Sequence, residues 1–373
     1  METKTAIILL LGGVILFFII LAINSNITLN INDKNSTNIP YYNTTNNTTN
    51  TIISTTNEDA MQIIYTCFSP ITDCSPELIR KISSANKTIY AATYEMNYGL
   101  IANALISAKN RGVDVRIIFD DDTVYTDKYH STYTDKTSFA QLKDAGLSVA
   151  VDSGSGLMHN KFYIFDNETV WVGSQNPTSN DILKNDNYVL LLNNTIITKN
   201  YLTEFDEMWS SKLFGAKSPS TNTQINNISE TILANYFCPE DNCSQHLRTF
   251  IKNAKGEIDC GFFTFTDKQI GQEIISKQQQ GVKVRVIIEK RQGANTEQYN
   301  ALKSAGVDVK YDGNGNTMHW KACVSGDEVW AGSYNPTGAG NKLNDENVVV
   351  IKNQKLANLF KNEFERIYAL GTN

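Results

Sequence analysis

The chain has 373 residues, 41% of them hydrophobic, enough for one large or two modest buried cores. Its formal net charge is −6, from 33 basic and 39 acidic side chains. That balance argues against a general nucleic-acid binder, whose affinity comes from neutralising phosphates, although a whole-chain sum does not exclude a local basic cleft.

The first element is an uninterrupted run of 18 apolar residues, Ala6 to Ile23, behind Lys4. At the helical rise it spans about 27 Å, close to the hydrocarbon thickness of a bilayer. The run is longer than the apolar part of a secretory signal, and no small-residue cleavage site follows it. Residues 1–23 are therefore expected to form a signal-anchor transmembrane helix, single pass, with the remainder outside the cytosol. Residues 24–60 are mostly Asn, Thr and Ser. Such a stretch cannot bury enough surface to offset its ordering entropy, and it is expected to be a disordered tether.

Beyond the tether the chain repeats itself. Cys74-Ser-Pro-Glu-Leu matches Cys243-Ser-Gln-His-Leu, and Gly112-Val-Asp-Val-Arg116 matches Gly281-Val-Lys-Val-Arg285, both at an offset of 169. Leu142 to Lys161 matches Leu302 to Lys321 without a gap at an offset of 160, with 9 of 20 residues identical. Gly173-Ser-Gln-Asn-Pro-Thr then matches Gly332-Ser-Tyr-Asn-Pro-Thr. Two homologous halves follow, residues 61–213 and 236–373, joined by a connection at 214–235.

Both halves share one grammar. An alternating apolar run (Thr88 to Met96; Glu257 to Phe265) predicts a strand. A helically spaced segment follows (Leu100, Ala104, Leu105, Ala108), stopped by Gly112, and then a buried strand (Val113 to Phe119; Val282 to Ile288). This alternation predicts an α/β fold of layered sheet and helix. Each half opens with a close cysteine pair, Cys67 with Cys74 and Cys238 with Cys243. Retention of both pairs at different spacings predicts two local disulfides and an oxidising compartment. Cys260 and Cys323 fall on predicted strands and are expected as buried free thiols, a bridge between the two strands being the alternative. No Cys/His cluster has the spacing of a zinc site, and neither a metal nor another cofactor is expected. Asp120-Asp121-Asp122 is expected to be a solvated corner rather than a calcium site.

The second half of each repeat carries the chemistry. The first copy reads His159-Asn-Lys161, then Asp166, then Gly173-Ser174-Gln-Asn176; the second reads His319-Trp-Lys321, then Gly332-Ser333-Tyr-Asn335. In a strand, residues two apart share a face, so each His and Lys project together, and a hairpin would bring Ser and Asn beside them. An imidazole ringed by one cation and neutral donors suits phosphodiester cleavage, in which charge develops on the non-bridging oxygens. One imidazole must attack phosphorus while another protonates the leaving oxygen, and two halves supply both. His130 and His246 have no repeated counterpart and are expected to be structural.

These motifs resemble the phospholipase D superfamily signature HxKxxxxDxxxxxxGSxN, which the first copy matches from His159 through Asp166 to Asn176. The resemblance covers roughly residues 62–370. It implies two similar α-β-α sandwich halves forming a pseudo-dimer, one active site at their interface in a monomeric unit, a phosphohistidine intermediate and no required metal. It further implies that His159 is the nucleophile and His319 the general acid, with Lys161 and Lys321 catalytic. Ser174, Asn176, Ser333 and Asn335 would bind the substrate phosphate, and Asp166 would support a turn. The second copy departs here, with Gly326 and then Asp327 one place late. At a further family position, a carboxylate that orients the histidine, the second half has Glu346 and the first has Asn187. Glu346 is expected to orient His319, leaving His159 with the uncharged Asn187.

The expected activity is hydrolysis of a phospholipid headgroup phosphodiester beside the membrane that holds the anchor. A nuclease acting on nucleic-acid phosphodiesters, a phosphatidyl transferase of the cardiolipin synthase kind and a non-catalytic surface binding module are the alternatives.

Overall fold

Half 1 of the computed structural model begins with β1 (Gln62–Ser69) and continues with β2 (Thr88–Thr93), β3 (Asp114–Phe119) and β4 (Ser148–Val151). It ends with β5 (Lys161–Phe165), β6 (Thr169–Gly173) and β7 (Asn187–Asn193). Half 2 repeats the set as β8 (Leu233–Cys238), β9 (Glu257–Phe262), β10 (Lys283–Ile288), β11 (Asp308–Tyr311), β12 (Lys321–Ser325), β13 (Glu328–Gly332) and β14 (Glu346–Lys352). The structure describes residues 62–126, 130, 132–219 and 233–373. The expected anchor (1–23) and tether (24–60) lie outside the described residues, as do residues 220–232 of the expected connection. Among the described residues no helix is long and apolar enough to cross a membrane.

The two sheets have one topology. Half 1 orders its seven strands β1-β7-β6-β5-β2-β3-β4, and half 2 orders its seven β8-β14-β13-β12-β9-β10-β11. In both, two parallel pairings (β2–β3–β4 and β9–β10–β11) adjoin antiparallel hairpins (β5–β6–β7 and β12–β13–β14). The parallel strands need crossover helices, which Gly99–Asn110 and Lys268–Gln279 provide. Gly112, at φ +94°, follows the first helix, as expected of a residue that must leave the helical region left-handed.

Three cores result. One lies under the outer helices of each half, and a third lies between the halves. The shared core joins Phe162, Ile164 and Tyr188 of one sheet to Phe237, Trp320 and Phe364 of the other half, all almost fully buried. At roughly 1.5–3 kcal/mol per buried large apolar side chain, the halves are held together by the same force that holds each one. Trp171 and Trp330 are core residues of their own halves.

All six cysteines are paired, as Cys67–Cys74, Cys238–Cys243 and Cys260–Cys323. The first two are the expected local bridges. The third corrects the expectation of free thiols. Cys260 of β9 and Cys323 of β12 stand directly opposite each other in the antiparallel register, with Cα atoms 4.1 Å apart. Sequence reading placed both on strands but could not supply the register that sets them face to face.

Candidate active site

The two motifs meet because the segments leading into β5 and β12 cross to the opposite half. His159 N–H donates to the Asp345 carbonyl and Asp345 N–H to the Leu157 carbonyl, both at 2.9 Å. His319 N–H donates to Asp186 and Asp186 N–H to Thr317, again at 2.9 Å. These two short parallel bridges are related by the repeat. Each therefore places a motif histidine beside the first residue of the other half's last strand.

This crossing reverses one expectation. Glu346 does not orient His319; its Oε2 lies 2.7 Å from Nδ1 of His159. His319 Nδ1 instead lies 3.0 Å from Oδ1 of Asn187. The partner residues are those expected, exchanged between halves, because the backbone bridge pairs Asp345 with the first motif and Asp186 with the second. In both cases an oxygen faces Nδ1, which must then carry the proton and leave Nε2 as the free nitrogen. The two rings are 6% and 7% exposed, so each sits at the floor of a cleft rather than on a surface. Tyr94 packs edge-on against His159, and Phe263 against His319.

The Gly-Ser turns support this arrangement rather than the substrate. A Cβ on Gly173 would collide with the Tyr188 carbonyl, and one on Gly332 with that of Asn347, so no larger residue fits. Ser174 and Ser333, expected to bind phosphate, are fully buried and do not line the cleft. The Ser174 hydroxyl donates to Asn187 at 2.9 Å, and the Ser333 hydroxyl donates to Glu346 at 2.7 Å. They correct the expectation by holding the histidines' partners, each hydroxyl donating to the first residue of a strand, Asn187 of β7 or Glu346 of β14. Asn176 and Asn335 do line the cleft. Lys161 and Lys321 are buried, each Nζ donating 3.0 Å to the carbonyl of its own motif histidine. Asp166 lies at the far end of β5, where its carboxylate accepts from the N–H groups of Asn86, Lys87 and Thr88. It ties the β5–β6 turn to the start of β2. In half 2, Gly326 at φ +59° occupies the matching place, so the missing Asp alters the turn and leaves the histidine untouched.

The cleft has a volume of about 520 Å³ and takes its walls from both halves, among them Tyr94, Glu95 and Leu157 on one side and Phe263, Thr264 and Thr337 on the other. Burial dominates its electrostatics. Desolvation, then Lys161 and Lys321, hold His159 well below the ordinary imidazole value. Burial and Lys321 bring His319 down to about 4, against a raising contribution from Asp181. Burial lowers Lys161 to about 8, and burial with the Lys161 charge holds Lys321 well below its ordinary value. Burial also lifts Glu346 to about 7, opposed by Lys161 and by the Ser333 hydrogen bond. A dianionic or monoanionic ligand entering between the lysines would relieve this crowding of positive charge.

Several supporting residues escaped the sequence reading. Met158 N–H donates 2.8 Å to Asp120, and Met318 N–H donates 2.6 Å to Glu289. These two carboxylates occupy matching places in the repeat and fix the residue before each histidine; aligning the strand ends would have revealed them. Asp120 is thus fully buried, which corrects the expectation of a solvated corner at that residue alone, Asp121 being half-buried and Asp122 exposed; burial with the nearby Asp152 raises Asp120 to about 8. Asp181 is the other omission. Its carboxylate accepts from Asn176 N–H at 2.8 Å, Asn176 Nδ2 at 2.9 Å and Asn185 Nδ2 at 2.7 Å, and lies 3.4 Å from His319 Nδ1. The matching residue of half 2 is Gly340, an asymmetry visible in the sequence. His130 and His246 stack on Tyr125 and Tyr236, away from the cleft.

A family model described as "Cardiolipin synthase, PLD-like domain" matches residues 78–209 and again 247–368, one domain in each half. A phospholipase D of Rickettsia prowazekii is 33% identical over 139 residues, 37% of this chain and 64% of that protein. A mitochondrial cardiolipin hydrolase of Xenopus laevis is 29% identical over 144 residues, 38% of this chain and 65% of that protein. The chain thus spans a little under two thirds of the length of these relatives. The phosphatidylserine synthase of Haemophilus influenzae superposes with a TM-score of 0.60 over 80% of this chain and 84% of its own, at 13% identity, a likeness of fold.

Proposed function

Because the chain belongs to the phospholipase D superfamily through both matched domains, we propose that it is a phosphodiesterase hydrolysing a phospholipid headgroup phosphodiester. The observation that carries this reading is the pair of imidazoles, one from each half, that line one cleft with Nδ1 engaged and Nε2 free, each under the charge of two buried lysines.

In the first step His159 Nε2 attacks phosphorus, a P–N bond forms, and the bond to the leaving oxygen breaks as His319 gives that oxygen its proton. Glu346 accepts from Nδ1 of His159 throughout and stabilises the positive charge the ring acquires. In the second step, water gives a proton to the now neutral His319 and attacks phosphorus, breaking the P–N bond. Lys161, Lys321, Asn176 and Asn335 neutralise and orient the non-bridging oxygens.

Relatives named for phospholipase D and cardiolipin hydrolysis support a lipid substrate. So does the apolar segment expected at residues 6–23, and the three bridged cysteine pairs support an oxidising compartment outside the cytosol. Nucleic acid is the second reading, favoured by the Tyr94 and Phe263 rings at the cleft, on which bases could stack. Phosphatidyl lipids and single-stranded DNA and RNA, assayed side by side with the His159→Ala variant as control and with EDTA, test both. Lipid turnover lost in the variant and retained in EDTA is expected; full activity of the variant would sink the reading.

A further inference from the structure

The asymmetry at positions 187 and 346 leaves one histidine without its expected carboxylate. In half 2, Glu346 stands 2.7 Å from His159. In half 1 the equivalent Asn187 reaches His319 with a neutral amide oxygen at 3.0 Å. Yet a carboxylate is present beside that ring. Asp181, 4% exposed, places Oδ2 at 3.4 Å from the same Nδ1. It comes from the short helix Ser179–Leu183, capped by Thr178, and the equivalent helix of half 2 has Gly340 there. Gly340 packs so closely on the Asn335 carbonyl that no side chain fits without rearrangement.

We propose that Asp181 is the carboxylate partner of His319, replacing the one absent from position 187, and that it makes His319 the proton donor of the pair. This rests on the phosphodiesterase reading for its catalytic consequence but not for its structural content. It is a positioning and charge-balancing residue that acts through the imidazole from a place in the cleft wall.

Three features support it. Asp181 is held in place by three donors from Asn176 and Asn185, so its orientation is fixed without the histidine. Burial disfavours its ionisation, but His319 and those hydrogen bonds outweigh burial and keep it ionised. The charged groups facing His319 are Asp181, Lys321 and Lys161, while Glu95 faces Asp181 from the end of β2. With two cations pressing against it, His319 can hold a second proton only if an anion stands at its other nitrogen, and Asp181 is the anion in that place. Asn187 then completes a shared acceptor, its Nδ2 donating 3.3 Å to the Asp181 carbonyl and its Oδ1 receiving Ser174.

The test has an arm that needs no turnover. In the whole chain, Asp181→Asn should lower the His319 imidazole pKa by about one unit or more in an NMR titration. Adding Asn187→Asp to that variant should restore most of it. Reciprocally, His319→Gln should raise the pKa of the Asp181 carboxyl, a measurement that stands even if Asp181→Asn does not fold. An unmoved His319 titration in Asp181→Asn, or an unmoved Asp181 in His319→Gln, overturns the proposal whether or not the chain cleaves phosphodiesters.

The kinetic arm tests the proton-donor role. Asp181→Asn should move the alkaline limb of kcat/KM toward acid. It should slow an alkyl phosphodiester at least tenfold more than a p-nitrophenyl one, whose leaving group needs no proton. An equal loss on both substrates with an unshifted profile would mark a merely structural role and overturn the assignment.

Discussion

The two histidine cradles differ more than the two sheets that carry them. Strand order, backbone bridges, Gly-Ser turns and lysine hydrogen bonds repeat from half to half. The anion behind each ring does not. His159 rests on Glu346, which is itself held by Ser333, while His319 shares a neutral amide with a more distant Asp181. A carboxylate in direct contact strengthens the attacking nitrogen and stabilises the cationic adduct. A looser pairing suits a ring that must gain and lose a proton in each cycle. The repeat thus supplies a symmetric frame, and the proposed division of roles rests on the asymmetry at residues 181, 187, 340 and 346.

The largest effects should come from the histidines. Alanine at either should lower turnover by on the order of 10³-fold or more. The two should part on a p-nitrophenyl substrate, where His319→Ala still releases a first equivalent of p-nitrophenol before stalling and His159→Ala releases none; equal behaviour would erase the distinction between them. Next, Glu346→Gln should cost roughly 10²-fold in kcat and leave KM within a few-fold, because the pair to His159 matters most as charge develops. Ser333→Ala should cost less, roughly tenfold, by loosening Glu346.

The pH profile should follow. The proposed mechanism needs His159 neutral and His319 protonated, and both rings are held below the ordinary imidazole value. The product of those two fractions peaks between the two pKa values, so kcat/KM should be highest below pH 6.5 and fall toward neutrality. A maximum above pH 7 would contradict the burial argument.

The smallest expected effect separates the halves in stability. In half 2, β9 and β12 are stapled by Cys260–Cys323, whereas Ala91 and Tyr163 oppose each other at the same register in half 1. Closing a loop of 63 residues is worth about 4 kcal/mol in the chain-entropy account, against about 2.5 kcal/mol for the 7-residue Cys67–Cys74 loop. Cys260→Ser with Cys323→Ser should therefore lower Tm by several degrees, more than Cys67→Ser with Cys74→Ser, with the pH profile unchanged.

Much of this was legible in the chain. The internal repeat foretold two equivalent sheets, and His-x-Lys with Gly-Ser-x-Asn foretold which strands carry the site. What the repeat could not convey is how the halves are joined. Which histidine Glu346 touches depends on a backbone bridge between Asp345 and Met158, residues almost 190 apart, and no local pattern encodes it. The same holds for Cys260 with Cys323, whose pairing follows from strand register. The Gly-Ser turn predicts Ser174 and Ser333 near the histidines, but not that their hydroxyls donate to the histidines' partners Asn187 and Glu346. Asp181 and Gly340 were readable as an asymmetry, yet only the distance to His319 gives that asymmetry a meaning.

The division of labour can be tested most directly by trapping the intermediate. His319→Ala should be incubated with a phosphodiester bearing a good leaving group, quenched, and mapped by peptide mass spectrometry. A phosphoryl adduct on His159, absent from the His159→Ala chain, is the predicted result. An adduct on His319 in the reciprocal variant, or sustained turnover with none on either ring, would contradict it.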